Sequence, residues 1–351
     1  MFSVFSKPLL PLAALLLVAP RLLAQAPSGV PASWPQQPVP AGLPGLKKSM
    51  ALIKPIAVFP VEGAPDWSVI TPDATWVSSR RNNHLVQLRA TDNQVGLIVE
   101  VNQPCSGLTA GFGSIWTPNC KDKLLQRIDP ATGKITASIP AAPENSEGGI
   151  TTGDGAVWLV VKGNAIPTTS HTSTTSVEPS LIKVDPQTNT IVGKVTLPLT
   201  AADPVFADGF VWVSTFNSNS VVKVDPHSMK VLKTIPLGEG TKPRFLTSGA
   251  GFVWVLNQGT GTVVKIDTKT SAVVATIPTG LTGQGGDISY SDGYVWATLS
   301  VIPLTKIDAH TDKVIAQWAG PGGDGMRVGG GSIWLSNGDE HSVWRISTHI
   351  E

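Results

Sequence analysis

Short apolar runs, rich in β-branched residues, alternate with polar turns along almost the whole chain. One unit, residues 205–235, contains apolar runs at 205–207, 210–215, 221–224 and 230–235, separated by turns rich in Asp, Asn, Gly and Ser. Short runs bounded by turn formers predict antiparallel β-strands joined by hairpins. The unit therefore predicts four strands, which we call A to D in chain order.

The unit recurs along the chain, and each copy carries a tryptophan in its second strand. These anchors stand 40, 42, 54, 42, 42 and 38 residues apart, at Trp76, Trp116, Trp158, Trp212, Trp254, Trp296 and Trp334. A repeat of about 42 residues is typical of one four-stranded propeller blade. The spacing predicts an all-β fold, a seven-bladed β-propeller of antiparallel blades over residues 47–351. The tryptophans are interpreted as core residues packed between neighbouring blades.

The last repeat lacks its own strand D, since the chain ends soon after the third strand of that unit. An apolar segment before the first tryptophan, at 51–60, is similar to the strands that end other repeats. We expect residues 51–59 to pair with 342–347 and so close the ring. Five aspartates open the C–D turns and are interpreted as turn caps, whose carboxylates accept backbone N–H groups: Asp129, Asp185, Asp225, Asp267 and Asp308.

The pattern G-x-[VI]-W-[VL], followed by V-x-K-[VI]-D and ending in [TS]-I-P, covers residues 50–350. It resembles the YVTN-type and streptogramin-lyase-like (virginiamycin B lyase-like) seven-bladed propellers. The resemblance implies the fold; these superfamilies contain lyases, lactonases and non-enzymatic binding proteins. The lyases tend to place an acidic residue third after the tryptophan, where this chain has no acid in any repeat. A lactonase-like calcium site would draw on Asn119, Asn257 and either Asp203 or Asp287; Asn337 occupies the equivalent position in the last repeat.

Charged residues recur nine or ten positions before the tryptophans, where strand A enters the central channel. The seven positions hold Asp66, Ser106, Gly148, Asp203, Arg244, Asp287 and Asp324. Carboxylates around one axis raise each other's pKa unless a cation intervenes. A divalent cation, Ca²⁺ or Mg²⁺, is one expected occupant because both prefer oxygen ligands. The alternative is a hydrated rim that caps the strand ends.

A second group of candidates lies in the B–C loops, on the face where D–A loops also emerge, here called the upper face. It comprises Arg80, Arg81, His84, His171 and His341. The loops of the first and last blades are neighbours in a closed ring, so a metal or acid–base site is conceivable there. Ordinary surface turns are the alternative. His171 lies in a Thr- and Ser-rich insertion at 163–180, which is either a lid or a tolerated decoration.

Residues 1–26 have the Lys7 charge, apolar core and small-residue cleavage site of an export signal. A Pro-rich linker follows over 27–46. We expect a periplasmic or secreted protein cleaved after Ala26, monomeric and without a membrane span after cleavage. The only two cysteines, Cys105 and Cys120, flank one hairpin and are expected to form a disulfide. A formal net charge of +1 argues against a nucleic-acid partner.

These observations favour a non-catalytic exported scaffold that binds a small ligand or an extracytoplasmic protein over the channel. The alternative is a metal-dependent lyase or hydrolase that uses the acidic residues at the channel entrance. A third possibility is a structural surface-layer or partner-docking module, which would fit the Pro-rich leader. The sequence contains no nucleophile elbow, phosphate-binding loop, dinucleotide fingerprint or HExxH motif.

Overall fold

The chain is a seven-bladed β-propeller. The computed structural model describes Met1 and residues 42–105, 107–143, 149–161, 179–198, 200–299 and 301–350. In chain order, strands A to D of blade 1 are Pro65–Ile70, Ala74–Ser79, His84–Arg89 and Val95–Glu100, and those of blade 2 are Thr109–Gly111, Ser114–Asn119, Leu124–Ile128 and Ile135–Pro140. Those of blade 3 are Ile150–Gly153, Ala156–Val161, Ser180–Asp185 and Thr190–Thr196, and those of blade 4 are Ala201–Ala207, Phe210–Thr215, Ser220–Asp225 and Lys230–Pro236.

The last three blades follow the same order. The strands of blade 5 are Pro243–Gly249, Phe252–Asn257, Thr262–Asp267 and Val273–Pro278, and those of blade 6 are Asp287–Ser291, Tyr294–Leu299, Ile302–Asp308 and Lys313–Ala319. Blade 7 contains Met326–Gly329, Ser332–Asn337 and Ser342–Ser347, and its outer strand, Ala57–Pro60, comes from the N-terminal side. The strand Lys47–Ser49 and the 3-10 turns Met50–Leu52 and Arg80–Asn82 complete the described elements. None of the helical segments in the described part of the chain has the length and hydrophobicity to cross a bilayer.

The seven predicted anchor tryptophans form the core between blades. Each is at most 2 % exposed, and several donate their indole N–H to the carbonyl of the residue five positions earlier, as Trp158 does to Gly153 at 2.9 Å. Burying such a ring removes about 150–250 Å² from water. The repeat in the sequence therefore corresponds to a repeat in the core, because each blade contributes one buried indole.

A second ring of contacts, which the sequence pattern did not predict, joins neighbouring blades. The strand C residue opposite each tryptophan donates to a carbonyl in the next blade's C–D turn, as Lys265 Nζ does to Ala309 at 2.9 Å. The same contact is made by Gln87, Arg127, Lys183, Lys223 and Arg345. Lys306 donates to the carbonyl of Thr348, which follows strand C of blade 7. In six blades the cation also lies over the tryptophan ring.

The N-terminal segment contributes two strands to the outside of the ring. Ala57–Pro60 pairs antiparallel with Ser342–Ser347, and Phe59 packs 5.5 Å from the Trp334 ring centroid. The pairing begins later than the expected 51–59, because residues 50–52 form a 3-10 turn. Lys47–Ser49 pairs parallel with Lys313–Ala319 as a fifth strand on blade 6. This strand was not predicted, since it is short and fully exposed.

Two further predictions are confirmed. Each of the five C–D aspartates accepts a backbone N–H two residues on, at 2.8–3.0 Å, as expected for Asx-type turns. Cys105 and Cys120 form a disulfide with a Cα–Cα distance of 5.8 Å. The predicted export signal, residues 27–41 of the linker, Ser106, Gly148, His171 and residues 163–178 of the insertion lie outside the described residues.

Candidate functional site

The channel entrance is held in place by hydroxyl groups two residues after the tryptophans. Ser214 Oγ donates to the carbonyl of Arg244 at 2.6 Å, and Ser336 Oγ donates to that of Asp66, also at 2.6 Å. Each hydroxyl reaches the next blade around the ring, because strand B of one blade faces strand A of its neighbour. These serines position the backbone of the predicted channel residues.

Two channel carboxylates also join neighbouring blades. Asp203 accepts the backbone N–H of Leu246 at 2.8 Å, and Asp287 accepts that of Met326 at 3.0 Å. Asp287 additionally accepts from the Arg327 guanidinium. Asp203 and Asp287 are 8 % and 3 % exposed. The two carboxylates are thus buried in pseudo-equivalent positions, and within the described part of the chain the Asp287 carboxylate pairs with Arg327 whereas that of Asp203 has no ion-pair partner.

Burial dominates the electrostatics of these groups. Desolvation raises the pKa of Asp203 to about 7, although the Leu246 N–H opposes the shift. Desolvation, with the nearby charges of Asp324 and Asp287, likewise raises the pKa of Asp66 to about 7. Burial raises the pKa of Asp287 as well, against the stabilising charge of Arg327. Titration of Asp66 and Asp203 near neutral pH is a property typical of functional sites.

Asp324 and Arg244 form the remaining part of the entrance. Asp324 is exposed, and desolvation nonetheless raises its pKa, against the Gly286 N–H and the charge of Arg244. Asp324 accepts the Gly286 N–H. Arg244 is 2 % exposed, and burial lowers its pKa to about 10 against the attraction of Asp324 and Asp66.

A cleft of about 850 Å³ opens on the upper face, directly above Asp66 and Asp324. It lies over blades 7, 1 and 2 and reaches blade 6. Its charged and carboxamide lining residues are Asp66, Arg80, Arg81, Asn83, Gln103, Lys121, Gln284, Asp324, Asn337 and Asp339. The cleft therefore unites part of the predicted channel group with part of the predicted loop group. We call it the upper cleft.

Charges of both signs line the upper cleft. Asp324 and Asp339 belong to blade 7 and Asp66 to strand A of blade 1, whereas Arg80, Arg81 and Lys121 follow strand B of blades 1 and 2. Neighbouring charges of both signs give the cleft a dipolar field rather than a single sign of potential. A ligand with separated positive and negative groups is complementary to such a field.

Several predicted site residues lie away from the upper cleft. His84 is the first residue of a strand, and burial lowers its pKa; the His341 ring contacts the Gly63 carbonyl. Asn257 is held by Thr262 through an Nδ2–Oγ1 contact of 3.2 Å. Asn119 lines a separate cavity between blades 1 and 2. Arg80 and Arg81 of the predicted loop group do line the cleft, as does Asn337 of the predicted channel group.

Among the described residues, no group of three or more His, Cys, Asp or Glu side chains converges in a way that would hold a metal ion. The carboxylates of Asp203, Asp287 and Asp324 instead accept N–H groups of the protein. The described residues therefore offer no converging set of carboxylates for the divalent cation that we expected from the sequence.

Residues that the sequence left unassigned include Lys121, Gln103 and Arg327. Lys121 and Gln103 reach the cleft because the disulfide fixes the segments that carry them. Arg327 follows the first residue of a strand A and pairs with a carboxylate one blade away. The hydroxyls at Ser214 and Ser336 did have a sequence signal, since each stands two residues after a repeat tryptophan.

No known family model matches the chain, and no curated protein matches it. Solved structures do: a streptogramin B lyase structure is 16 % identical, with 83 % of this chain and 96 % of that chain covered and a TM-score of 0.66. A catalytically inactive histidine-to-alanine variant of virginiamycin B lyase from Staphylococcus aureus, with quinupristin, is 13 % identical, covering 84 % and 98 %, at a TM-score of 0.68. Hydrazine synthase from Kuenenia stuttgartiensis is 14 % identical, covering 82 % and 96 %, at 0.69.

These likenesses confirm the predicted resemblance at the level of the fold. Identities this low do not carry an activity from one propeller to another, because one fold hosts many functions.

Proposed function

We propose that this protein is an exported binding scaffold whose upper cleft takes a small zwitterionic ligand without turning it over. The observation that carries the proposal is the presence of both signs of charge in one cleft, with Asp324 and Asp339 on blade 7 and Asp66 on blade 1, and with Arg80, Arg81 and Lys121 in the loops of blades 1 and 2. An anionic group would meet Arg80, Arg81 and Lys121, and a cationic group would meet Asp324 and Asp339. Charge-assisted hydrogen bonds of this kind are about twice as strong as neutral ones.

The volume and floor of the cleft support a ligand of small-molecule size. About 850 Å³ falls within the range of about 300–1,000 Å³ typical of small-molecule sites. The floor is formed by Asp66 and Asp324, whose backbones are tied to neighbouring blades. A rigid floor lowers the entropy lost on binding.

Calorimetric titration with three probes tests the proposal: glutamine as a zwitterion, succinate as a dianion and putrescine as a dication. We expect glutamine to bind most tightly, and Arg80→Gln and Asp339→Asn each to weaken it about tenfold, since a hydrogen bond to a charged group contributes about 1.5–3 kcal/mol. Lys230→Gln, an exposed outer-strand change on blade 4, is the control. Equal affinity for all three probes, or no binding of glutamine, would refute the zwitterion assignment.

Acid–base catalysis is the second candidate function, and Asp66 is the observation that favours it. A carboxyl with a pKa of about 7 in a cleft can exchange a proton near neutral pH. Two of the similar structures are lyases, and replacing a histidine inactivates one of them; His84 and His341 do not line the cleft here. Conversion of quinupristin to a product separated by liquid chromatography, abolished by Asp66→Asn, would favour the enzyme over the scaffold.

A further inference from the structure

A cavity of about 460 Å³ lies between blades 7 and 1, on the face opposite the upper cleft, where the A–B and C–D turns lie. We call it the lower cavity. Arg345 is the charged residue of its described lining, and Ile70, Pro72 and Ala90 give it an apolar wall. The described lining contains no acidic side chain. The lower cavity therefore combines one positive charge with an apolar surface.

The A–B turns on both sides of the lower cavity differ from those of the other blades. In blades 2 to 6 two residues join strands A and B, and the first has a side chain and a φ between 48° and 55°. These first residues are Phe112, Asp154, Asp208, Ala250 and Asp292. Blade 7 has Gly330 there, and blade 1 has a three-residue connection at 71–73. A Cβ added to Gly330 would meet no atom within 4 Å, so the missing side chain leaves open space.

Blade 2 shows which donors are satisfied at this place when the turn is of the usual kind. The Trp116 indole N–H donates to the Gly111 carbonyl at 3.1 Å, and Arg127 Nη2 donates to the Phe112 carbonyl, also at 3.1 Å. Arg127 in addition donates from Nε to Ser114 Oγ and from Nη1 to the next blade. The indole and the guanidinium thus both have acceptors at the A–B turn.

Trp334 and Arg345, the equivalent residues of blade 7, keep only part of this pattern. Arg345 donates from Nε to Ser332 Oγ at 3.0 Å and from Nη1 to Ala90 and Asn93 of blade 1. Among the described residues, however, neither Arg345 Nη2 nor the Trp334 indole N–H has an acceptor. Both residues line the lower cavity, and Trp334 is 2 % exposed. Unpaired donors at buried positions are rare in native proteins, so two of them at one cavity indicate an acceptor from outside the chain.

The Trp334 nitrogen differs in one respect from that of Trp76 in the neighbouring blade. Trp76 Nε1 also has no partner among the described residues, but it is completely enclosed by protein. Trp334 Nε1 is not enclosed in this way, and its residue forms part of the cavity wall. A ligand in the lower cavity can therefore reach the Trp334 N–H.

Blade 3 shows which chemical group fits this place. The first residue of its A–B turn, Asp154, accepts a hydrogen bond from Lys183 Nζ at 3.3 Å. Lys183 is the strand C cation that lies over the tryptophan ring of that blade, as Arg345 does in blade 7. A turn carboxylate thus compensates the strand C cation in blade 3, whereas Gly330 supplies none to Arg345.

We propose that the lower cavity binds a small aliphatic monocarboxylate in the place of that missing side chain. The two carboxylate oxygens would accept from Trp334 Nε1 and Arg345 Nη2, and one negative charge offsets that of Arg345. Hydrogen bonds between ionised partners are the strong ones, and a guanidinium suits a carboxylate in shape. The aliphatic tail would lie against Ile70 and Pro72. A volume of about 460 Å³ is within the range of about 300–1,000 Å³ for small-molecule sites.

Titration of the isotope-labelled protein with sodium butyrate tests the proposal, followed by NMR at the indole N–H resonances of the tryptophans. We expect the Trp334 resonance, assigned with the variant Trp334→Phe, to shift saturably with a dissociation constant on the order of millimolar. Butyramide, the uncharged analogue, should bind at least about tenfold more weakly, because it cannot form the ion pair. Arg80→Gln, a change in the upper cleft, should leave the Trp334 shift unaltered.

Gly330→Asp restores the carboxylate that blade 3 has at this position. Asp154, Asp208 and Asp292 adopt the same positive φ in their turns, so the melting temperature of the variant should be unchanged or higher. Butyrate affinity should fall at least about tenfold, because the new side chain would occupy the site and pair with Arg345. Gly330→Asn, which is matched in size but uncharged, should weaken butyrate binding less.

Three results would overturn the proposal. The first is the absence of a saturable Trp334 shift when butyrate is added to the wild-type protein. The second is equal affinity for butyrate and butyramide, which would show that the lower cavity does not select a negative charge. The third is butyrate binding that a folded Gly330→Asp variant retains in full, which would place the carboxylate elsewhere.

Discussion

Replacing Asp203 by Asn should stabilise the protein at alkaline pH, because the folded state holds this carboxyl in an unfavourable environment. Asp203 is 8 % exposed, and burial raises its pKa from 3.8 to about 7. The folded state therefore binds the proton more tightly than the unfolded chain. The contribution of Asp203 to the free energy of unfolding is most favourable below about pH 4 and declines as pH rises towards about 7.

The magnitude follows from the size of the shift. A rise in pKa from 3.8 to about 7 lowers the free energy of unfolding by about 4 kcal/mol, at about 1.4 kcal/mol for each pH unit, once Asp203 is ionised in both the folded and the unfolded state. A carboxamide carries no charge and keeps an oxygen that can accept the Leu246 N–H. We therefore expect Asp203→Asn to gain up to about 4 kcal/mol near pH 8 and almost nothing near pH 4.

Asp287→Asn is the matched control, since Asp287 occupies the equivalent position two blades away. It also accepts a backbone N–H from the next blade, but its carboxylate pairs with Arg327. The amide would lose that charge-assisted contact, so the gain should be smaller or absent. Urea unfolding followed by tryptophan fluorescence at both pH values measures the difference. An equal effect of the two substitutions, or no pH dependence for Asp203→Asn, would refute the reasoning.

Three further stability changes are expected. Lys265→Met should lower the unfolding free energy by about 2–4 kcal/mol, because Lys265 is paired with Asp312 at 2.8 Å and its side chain is 8 % exposed. Lys306→Met should lower the unfolding free energy by less, since Lys306 donates to a carbonyl at 3.3 Å and has no acidic partner among the described residues. Replacing both cysteines by serine should cost about 3 kcal/mol for a separation of 15 residues, visible as a lower melting temperature. Deleting residues 46–60 removes the outer strand on Ser342–Ser347 and should destabilise the whole ring; an unchanged melting temperature would contradict this.

The sequence predicted the features that repeat and missed those that depend on distances between blades. Tryptophan spacing and the turn aspartates follow from local chemistry, so both are readable from the chain alone. Lys265 belongs to the repeated V-x-K-[VI]-D pattern, but its contact was not predicted, because the partner carbonyl lies 44 residues away in the next blade. The parallel strand at Lys47–Ser49 was missed because three exposed residues carry no hydrophobic pattern.

The candidate site was predicted only in part, for a similar reason. Counting back from the tryptophans located Asp66 and Asp324, because both stand at the start of strand A. Counting forward gave Asn119, Asn257 and Asn337, and only Asn337 of these lines the upper cleft, because the cleft lies over blades 7, 1 and 2 and the position repeats in every blade. The grouping of Lys121 with Arg80 and Arg81 depends on how the B–C loops of blades 1 and 2 pack side by side, which local sequence does not encode.

Chemical-shift mapping with glutamine tests the central claim most directly. Backbone amide resonances of the isotope-labelled protein would be followed as glutamine is added. Binding in the upper cleft predicts saturable shifts confined to the residues around Arg80, Lys121 and Asp339, with a common dissociation constant. Shifts confined to the opposite face or to blades 3–5, or no shifts while the protein remains folded, would contradict the assignment of the upper cleft as the ligand site.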